Sequence, residues 1–456
     1  MAEVNKIKKQ ISRRKFLKAT TVAAAFVIVP RHVLGGPAHT PPSEKLNIAG
    51  IGVGGMGGSN LRQCENENIV ALCDVDSNYA AKTFKRYPKA KVHKDYRVMF
   101  DKQKDFDAVV IATPDHTHAV ITMAAMKTGK HVYCQKPLTH TVYEARKVTE
   151  GARKYKVQTQ MGNQGHSSEQ IRLLKEWLAD GAIGNVTQVY AWTDRPVGGD
   201  PWSDFAVRAR PTDTPPVPES LDWDLWLGPV SYRPYHPEYH PTKWRAWLDF
   251  GTGALGDMGC HIIDPAFWAL DLGAPESIEA TSTHWQKEVS SETFPRASIV
   301  RYKFPARGSR PPVKLTWYDG RLLPPIPDEL EEGRKIPGSG AFIIGDKGCI
   351  LHGSHGASGL RIVPETKMRE YKRPEKAIPR VNNSHEGDWL RACKDGKPAS
   401  SNFEYGGALT ETVLLGMIAI RVKDQKLQWD AENLKFRNND AANELLHIGY
   451  RDGWHL

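Results

Sequence analysis

The sequence predicts an α/β chain in two parts: a parallel sheet with helices on both faces, then an α+β region with an open, mostly antiparallel sheet. Three observations predict it. Between residues 46 and 162, short buried apolar runs alternate with helical stretches, the pattern of strands joined by crossover helices. A glycine cluster separates the first apolar run from the first helix. From residue 277 the pattern changes to alternating apolar and polar residues, as in strands that bury one face. The 456 residues suffice for two domains, each with a sizeable core.

The first unit is Leu46–Asp76. Leu46–Ile51 is long enough for one buried strand, the glycines make a tight turn, a polar stretch suits a helix, and Ile69–Cys73 is a second strand ending at Asp74. Strand, glycine turn, helix, strand and acid together form a dinucleotide fingerprint in its required context. Gly52 permits the turn, Gly54 lets backbone approach a pyrophosphate, and Gly57 lets helix and strand pack closely. Gly55 and Met56 join the expected cofactor contacts, and the unpaired N–H groups and positive dipole end of the helix that follows suit phosphates. A second register, starting at Gly50, also fits; the one at Gly52 leaves a full strand before the turn. Asp74 would accept hydrogen bonds from ribose hydroxyls. Val75 and Asp76 follow with no nearby Arg, which disfavours a 2′-phosphate and so favours NAD over NADP.

The alternation continues through a helix at Ser77–Arg86, a short strand and turn at Lys91–Arg97, and a buried strand at Phe106–Ala112 that ends in Thr113-Pro114-Asp115-His116-Thr117-His118. Ala119–Thr128 is an apolar helix closed by Gly129. His131–Cys134 is a strand ending in Gln135-Lys136-Pro137, Glu144–Lys154 a helix and Val157–Met161 a strand. Ligand groups of such a sheet lie at the carboxyl ends of its strands. That selects Asp74, Thr113–His118, Gln135–Pro137 and Gly162–His166.

The second part opens with a helix at Glu169–Ala179 and a strand at Val186–Trp192. An irregular stretch, Thr193–Phe250, is rich in Pro, Trp, Tyr and His, and a loop that long usually covers a site. Gly256–Leu272 reads as helical. Strands are expected at Ser277–Trp285, Ala297–Phe304, Val313–Tyr318, Ala341–Ile344 and Cys349–Gly353, and late helices at Trp389–Lys394 and Ala408–Val422. The expected domains are 46–166 and 167–430, with a tail at 431–456.

Residues 1–36 read as an export signal, and 37–45 as a linker. Ser12-Arg13-Arg14-Lys15-Phe16-Leu17-Lys18 has the twin-arginine form and precedes the apolar stretch Ala19–Pro30. The expectation is a periplasmic protein, exported already folded by the twin-arginine translocation machinery. Most of the net charge of +10 sits in this leader. No basic stripe with interleaved aromatics occurs, so no nucleic-acid partner is expected. The six cysteines show no CxxC spacing and read as free thiols.

Two constellations carry chemistry. In Asp257-Met258-Gly259-Cys260-His261-Ile262-Ile263-Asp264, Asp257 and His261 are four residues apart and share a helix face, with Asp264 near them. A carboxylate beside an imidazole orients it and raises its basicity, as a general base for an alcohol proton requires. Lys136 lies at a strand end, where Pro137 forces an extended conformation before it. A desolvated lysine there can stabilise developing alkoxide charge. Seven of the 13 tryptophans fall in 190–270. Aromatic faces stack on sugar rings, and Trp192, Arg195, Lys243 and Arg245 are candidates to meet hydroxyls. Asn163, Gln164 and His166 should face the cleft. His236, His240, His352 and His355 match no standard metal spacing, and no metal is expected.

With these residues in place the chain resembles the Gfo/Idh/MocA oxidoreductases, relatives of glucose–fructose oxidoreductase and inositol dehydrogenase. The resemblance rests on Gly52–Gly57, Asp74, the Ala112-Thr113-Pro114-Asp115…His118 segment, Lys136-Pro137 and Asp257…His261, and it runs from Leu46 to about Val422. It implies a Rossmann domain followed by an α/β domain with an open sheet. It implies that Lys136 and His261 are the catalytic pair, that Asp257 binds hydroxyls or orients His261, and that Thr113, Pro114, Asp115, His118 and Gln135 line the cofactor. Asp264 joins the expected substrate contacts. One departure stands out: the family usually has Glu-Lys-Pro, and this chain has Gln135. The implied function is oxidation of a sugar, glycoside or polyol hydroxyl with NAD, the cofactor being held tightly and recycled because export removes it from a free pool. A redox-neutral glycosidase or lyase working by oxidation, elimination and reduction is the alternative, and a non-catalytic sugar-binding protein the third reading. A dimer or tetramer through the open sheet face is implied as well.

Overall fold

Apolar strands that are buried along their length build the first sheet. In the computed structural model, which describes residues 44–196, 208–283 and 286–456, β1 (Asn47–Ile51), β2 (Asn68–Cys73), β3 (Lys91–His93), β4 (Ala108–Ile111), β5 (His131–Gln135) and β6 (Thr159–Gly162) are all parallel, in the order β3-β2-β1-β4-β5-β6. Every residue of β4 is buried, as a central strand covered on both faces requires. Helices α1 (Met56–Gln63), α2 (Ala81–Arg86), α3 (Tyr96–Lys102), α4 (Asp115–Lys127) and α5 (Val142–Tyr155) make the crossovers. α5 starts on a capping box: Thr141 accepts from the Glu144 N–H while Glu144 accepts from the Thr141 N–H. Chain order reverses between β1 and β4, which opens a crevice at their carboxyl ends.

The second sheet has nine strands: β7 (Val186–Trp192), β8 (Ser277–Ser282), β9 (Ser298–Phe304), β10 (Val313–Tyr318), β11 (Gly340–Gly345), β12 (Gly348–Gly353), β13 (Arg361–Val363), β14 (Leu427–Asp430) and β15 (Lys435–Phe436), in the order β13-β12-β11-β7-β10-β9-β8-β14-β15. Only β7 and β10 pair in parallel. β9 shows why one face is covered: Ser298, Val300, Tyr302 and Phe304 are buried, while Arg301 and Lys303 between them are exposed. The remaining helices are α6 (Glu169–Ala179), α7 (Trp223–Leu227), α8 (Gly253–Ile262), α9 (Asp264–Leu270), α10 (Lys287–Ser290), α11 (Glu365–Glu370), α12 (His385–Asp395), α13 (Phe403–Val422) and α14 (Asp440–Glu444).

The 20-residue α13 ties the two sheets together. It is apolar nearly all round, and it packs on α5 and β6 of the first sheet and on α8, β8 and β9 of the second. Residues 46–456 accordingly form one contact unit. The expected export signal, the expected linker up to residue 43, Trp202 and Trp285 lie outside the described residues.

Three expectations are sharpened. The stretch Gly256–Leu272 is helical as expected, and it is divided into two helices, α8 and α9. Pro265 sits in the first turn of α9 and has no N–H to continue α8. The stretch 431–456 carries β15 and α14, and Trp454 is buried. Of the irregular stretch, the part from 208 onward holds an aromatic cluster of its own, in which Trp223 stacks on Trp226 with ring centroids 4.7 Å apart.

Candidate active site

A cavity of about 430 Å³ occupies the crevice at the carboxyl edge of the first sheet, and both regions line it. Its first end is built locally. Gly52 has φ +74°, and a Cβ there would lie 2.7 Å from the Ala112 carbonyl carbon, so only glycine fits where the turn from β1 to α1 passes the end of β4. A Cβ on Gly57 would stand 2.1 Å from the Gly52 carbonyl oxygen; this glycine brings α1 against the turn and is not itself on the cavity. Gly55 caps α1 without any side-chain hydrogen bond, so the first N–H groups of the helix are not capped by a side chain of the turn. Gly54, Gly55 and Met56 all line the cavity.

Asp74 lies beneath this turn. Its Oδ2 accepts from the Val53 and Gly54 N–H groups at 2.8 and 3.1 Å, and its Oδ1 from Asp76 N–H at 3.0 Å. Burial outweighs these bonds and pushes its carboxyl up to about 6. Bare glycines, a helix start without a side-chain cap and an acid at the end of β2 fit a dinucleotide. Tyr79 also packs here: its ring occupies the space that a Cβ on Gly54 would need.

The other end is assembled from distant segments. Lys136 leaves the end of β5 and donates from Nζ to the Asp257 main-chain oxygen at 2.6 Å and to Asp257 Oδ1 at 2.8 Å. Arg195 pairs with Asp257 Oδ2, and Arg245 approaches Oδ1 at 3.5 Å while lying 4.2 Å over the Trp244 ring. Burial acts to raise the Asp257 pKa. Lys136, Arg245 and Arg195 outweigh it and hold the carboxyl well below the usual range.

His261 lies one turn on from Asp257 along α8. The expected carboxylate–imidazole contact is not formed, because Asp257 is occupied by the three cations. Instead His261 stacks on His355, with ring centroids 4.2 Å apart, and among the described residues its buried Nδ1 has no hydrogen-bond partner. Burial, with Lys136 and His355 adding to it, pushes the imidazole well below its ordinary pKa. The ring is therefore neutral near pH 7.

Thr113, Pro114, Asp115, His118 and Gln135 line the cavity between these ends. His118 lies 2.8 Å from both the Thr113 and the Pro137 carbonyl oxygens and holds the two strand-end turns together. Asp115 is buried, bonded to Thr252, and pushed up to about 7 by burial. Gln135 donates to Asn60 Oδ1 at 3.0 Å, and Asn60 donates to Glu386 at 2.7 Å. Gln135, standing where the resemblance implies a carboxylate, is thus linked through Asn60 to a buried carboxylate on α12.

Five expected substrate residues lie off the cavity, among them Lys243, which pairs with Glu238 at 3.0 Å. Trp192 is buried in the second sheet, donates to the Pro337 carbonyl and packs on Phe342. Asn163 is buried and accepts from Ser401. His166 and Asp264 pair with each other at 2.9 Å, and Tyr405 also donates to Asp264. Asp264 faces this buried network because α8 ends before it. Arg195 and Arg245 are on the cavity, as are Trp226 and Trp244.

Sequence reasoning missed Tyr79, Tyr96 and Trp454, all of which line the cavity. His240 and His355, weighed only as metal ligands, line it too. His240 lies 2.8 Å from Asp76, which ties the 240–245 segment to the glycine end. Among the described residues no group of His, Cys, Asp and Glu could hold a metal.

Two family patterns match in succession. Residues 46–163 match the oxidoreductase family, NAD-binding Rossmann fold, and residues 168–304 match the oxidoreductase family, C-terminal alpha/beta domain. A levoglucosan dehydrogenase from Pseudarthrobacter phenanthrenivorans is 24% identical over 218 residues, which is 48% of this chain and 46% of that protein. An inositol 2-dehydrogenase from Rubrobacter xylanophilus is 32% identical over 158 residues, 33% of this chain and 44% of that protein. The chain thus spans about half the length of the curated relatives it matches. Among solved structures, an aldose-aldose oxidoreductase from Caulobacter crescentus complexed with glycerol shares the fold, with a TM-score of 0.57 and 16% identity, covering 84% of this chain and all of that one. With its glycine turn, its acid at the end of β2 and its paired domains, the chain belongs to the Gfo/Idh/MocA oxidoreductase family and carries that family's NAD-binding Rossmann domain.

Proposed function

We propose that the protein is an exported oxidoreductase that uses NAD to oxidise a hydroxyl of a sugar, glycoside or polyol, with the cofactor retained and recycled in one site. The observation that carries this is the Lys136–Asp257–His261 cluster, which opens onto the same cavity as the glycine turn. The related proteins named levoglucosan dehydrogenase and inositol 2-dehydrogenase support the substrate class. The twin-arginine pattern at Ser12–Lys18 supports export.

When bound, NAD supplies the hydride acceptor. Gly52–Met56 and the start of α1 would hold its phosphates, and Asp74 would meet ribose hydroxyls. His261, neutral and desolvated, accepts the hydroxyl proton on its imidazole. Lys136 donates a hydrogen bond to the same oxygen and stabilises its developing charge. Asp257 holds Lys136, Arg195 and Arg245 in one cluster, which places Lys136 and Arg195 to orient neighbouring hydroxyls. Trp226 and Trp244 give the cavity apolar walls for a sugar ring.

The test begins with protein purified without added nucleotide. Denaturation should release about one NAD or NADH per chain, and levoglucosan, myo-inositol and simple aldoses are then screened for reduction of the retained cofactor. Absence of retained nucleotide would remove the recycling part of the proposal. Loss of no activity in Lys136→Ala and His261→Ala together would remove the catalytic assignment.

The His261–His355 pair favours a second reading. Two imidazoles side by side on one cavity provide one base for the hydroxyl and another for the C–H made acidic by oxidation next to it. Such a site performs oxidation, elimination and reduction, and cleaves a glycoside without net redox change. Aglycone release from an aryl glycoside with no added oxidant separates it from the first reading.

A further inference from the structure

We infer that residues 450–456 form the adenosine wall of the cofactor site, with Trp454 as its aromatic face. This rests on the reading of the cavity as a dinucleotide site and extends it to a segment beyond both matched family patterns, which end at residue 304.

Trp454 is 7% exposed and lines the cavity beside Asp95 and Tyr96, the residues that follow β3. Asp74 and Val75, at the end of β2, line it as well. In a doubly wound sheet the carboxyl ends of the second and third strands face the ribose and base, because the acid that meets the ribose ends the second strand. Trp454 therefore stands at the adenosine end, away from Lys136 and His261.

The segment is docked and not merely adjacent. Arg451 donates from its main-chain N to the Pro229 carbonyl at 3.0 Å and from Nε to the Gly228 carbonyl at 2.5 Å, and its guanidinium pairs with Asp224. Tyr450 donates to Glu144 at 2.5 Å, and Lys127 donates to the Leu456 carbonyl at 3.0 Å. The Arg97 guanidinium lies 4.6 Å from the indole centroid, and Tyr96 sits 6.2 Å from it. These contacts fix the plane of a large aromatic ring at a cavity wall. A purine has a flat π-face that can stack on such a ring.

Nucleotide-free protein tests this by calorimetry with NAD, ADP-ribose and nicotinamide mononucleotide. Trp454→Ala should raise the dissociation constants of NAD and ADP-ribose about tenfold or more, leave that of nicotinamide mononucleotide unchanged, and recover most of the affinity as Trp454→Phe. Trp454→Leu keeps apolar volume in the same place and should still weaken ADP-ribose, which covers the case in which the alanine variant does not fold. Unchanged ADP-ribose affinity in a folded variant overturns the inference. So does equal weakening of ADP-ribose and nicotinamide mononucleotide, the sign of general structural damage. Wild-type protein that binds no ADP-ribose overturns the dinucleotide reading and the inference with it, whereas wild-type binding with indifferent variants overturns only the inference.

Discussion

The two ends of the cavity are made in different ways. The glycine end is local: Gly52, Gly54, Gly55, Asp74 and Tyr79 all fall within residues 52–79, and backbone geometry dictates most of them. The lysine end gathers Lys136, Arg195, Arg245, Asp257, His261 and His355 from five separate segments, and side-chain charge dictates how they pair. A site built from backbone tolerates little substitution but requires few partners. A site built from charges depends on every partner being delivered by the fold. Damage at the first end should therefore appear in cofactor affinity, and damage at the second in turnover.

The largest expected effect is at the lysine end. Lys136→Ala removes the group that faces the developing alkoxide and should lower the rate of cofactor reduction about 10²–10³-fold, with NAD affinity little changed. Rapid-mixing absorbance with an identified sugar substrate measures the first quantity and calorimetry the second. An affinity loss matching the rate loss would break the division between the ends.

Next comes Gly57→Ala. The new Cβ would meet the Gly52 carbonyl oxygen, a backbone atom, so the turn itself must shift. Overpacking of this kind costs about 1–3 kcal/mol. The expected outcome is a lower melting temperature and an NAD dissociation constant raised about tenfold, the shift that 1.4 kcal/mol of lost binding would give. Turnover at saturating NAD should stay near wild type. Normal affinity would show that close packing of α1 is dispensable.

The same division explains how far the sequence alone reaches. Glycine positions and apolar strand runs are readable because they encode local geometry, and β1, α1, β2 and Asp74 lie where the spacing puts them. Contacts between distant segments are not readable from spacing. Asp257 and His261 do share the helix α8, but helical spacing says nothing about Lys136, Arg195 and Arg245 arriving to occupy the carboxylate. Asp264 fails for a nearby reason: Pro265 ends the run of α8, and the acid pairs with His166, 98 positions away. Trp454 carried no signal, since a tryptophan among polar residues looks the same whether it is a surface residue or a cavity wall.

A smaller effect tests the tie between the two regions. His240→Ala removes the imidazole that bonds Asp76 and frees the 240–245 segment, which carries Trp244 and Arg245 over the cavity. Bound NAD should dissociate severalfold faster, with the rate of cofactor reduction lowered by a smaller factor because Arg245 also belongs to the Asp257 cluster. Filter binding with labelled NAD reads the off-rate.

The smallest effect sharpens the comparison most, because it separates burial from charge at the lysine end. His261 acts as a base only when neutral. Its pKa in the folded protein lies well below the ordinary imidazole value of 6.5, with burial as the first cause and Lys136 and His355 as the next two. The sign follows: kcat/KM stays flat as pH falls through 6.5 and drops only when pH passes the depressed value, where the imidazole gains its proton. His355→Ala removes one of the lesser causes, so the acidic limb should move up slightly and remain below 6.5. Lys136→Met removes the larger charge and should move the limb of its residual activity further in the same direction. Both shifts together identify charge as a second control acting on a base that burial has already made neutral. A limb at 6.5 in the wild type would mean that water reaches His261 freely, and the lysine end would then owe its chemistry to charge alone.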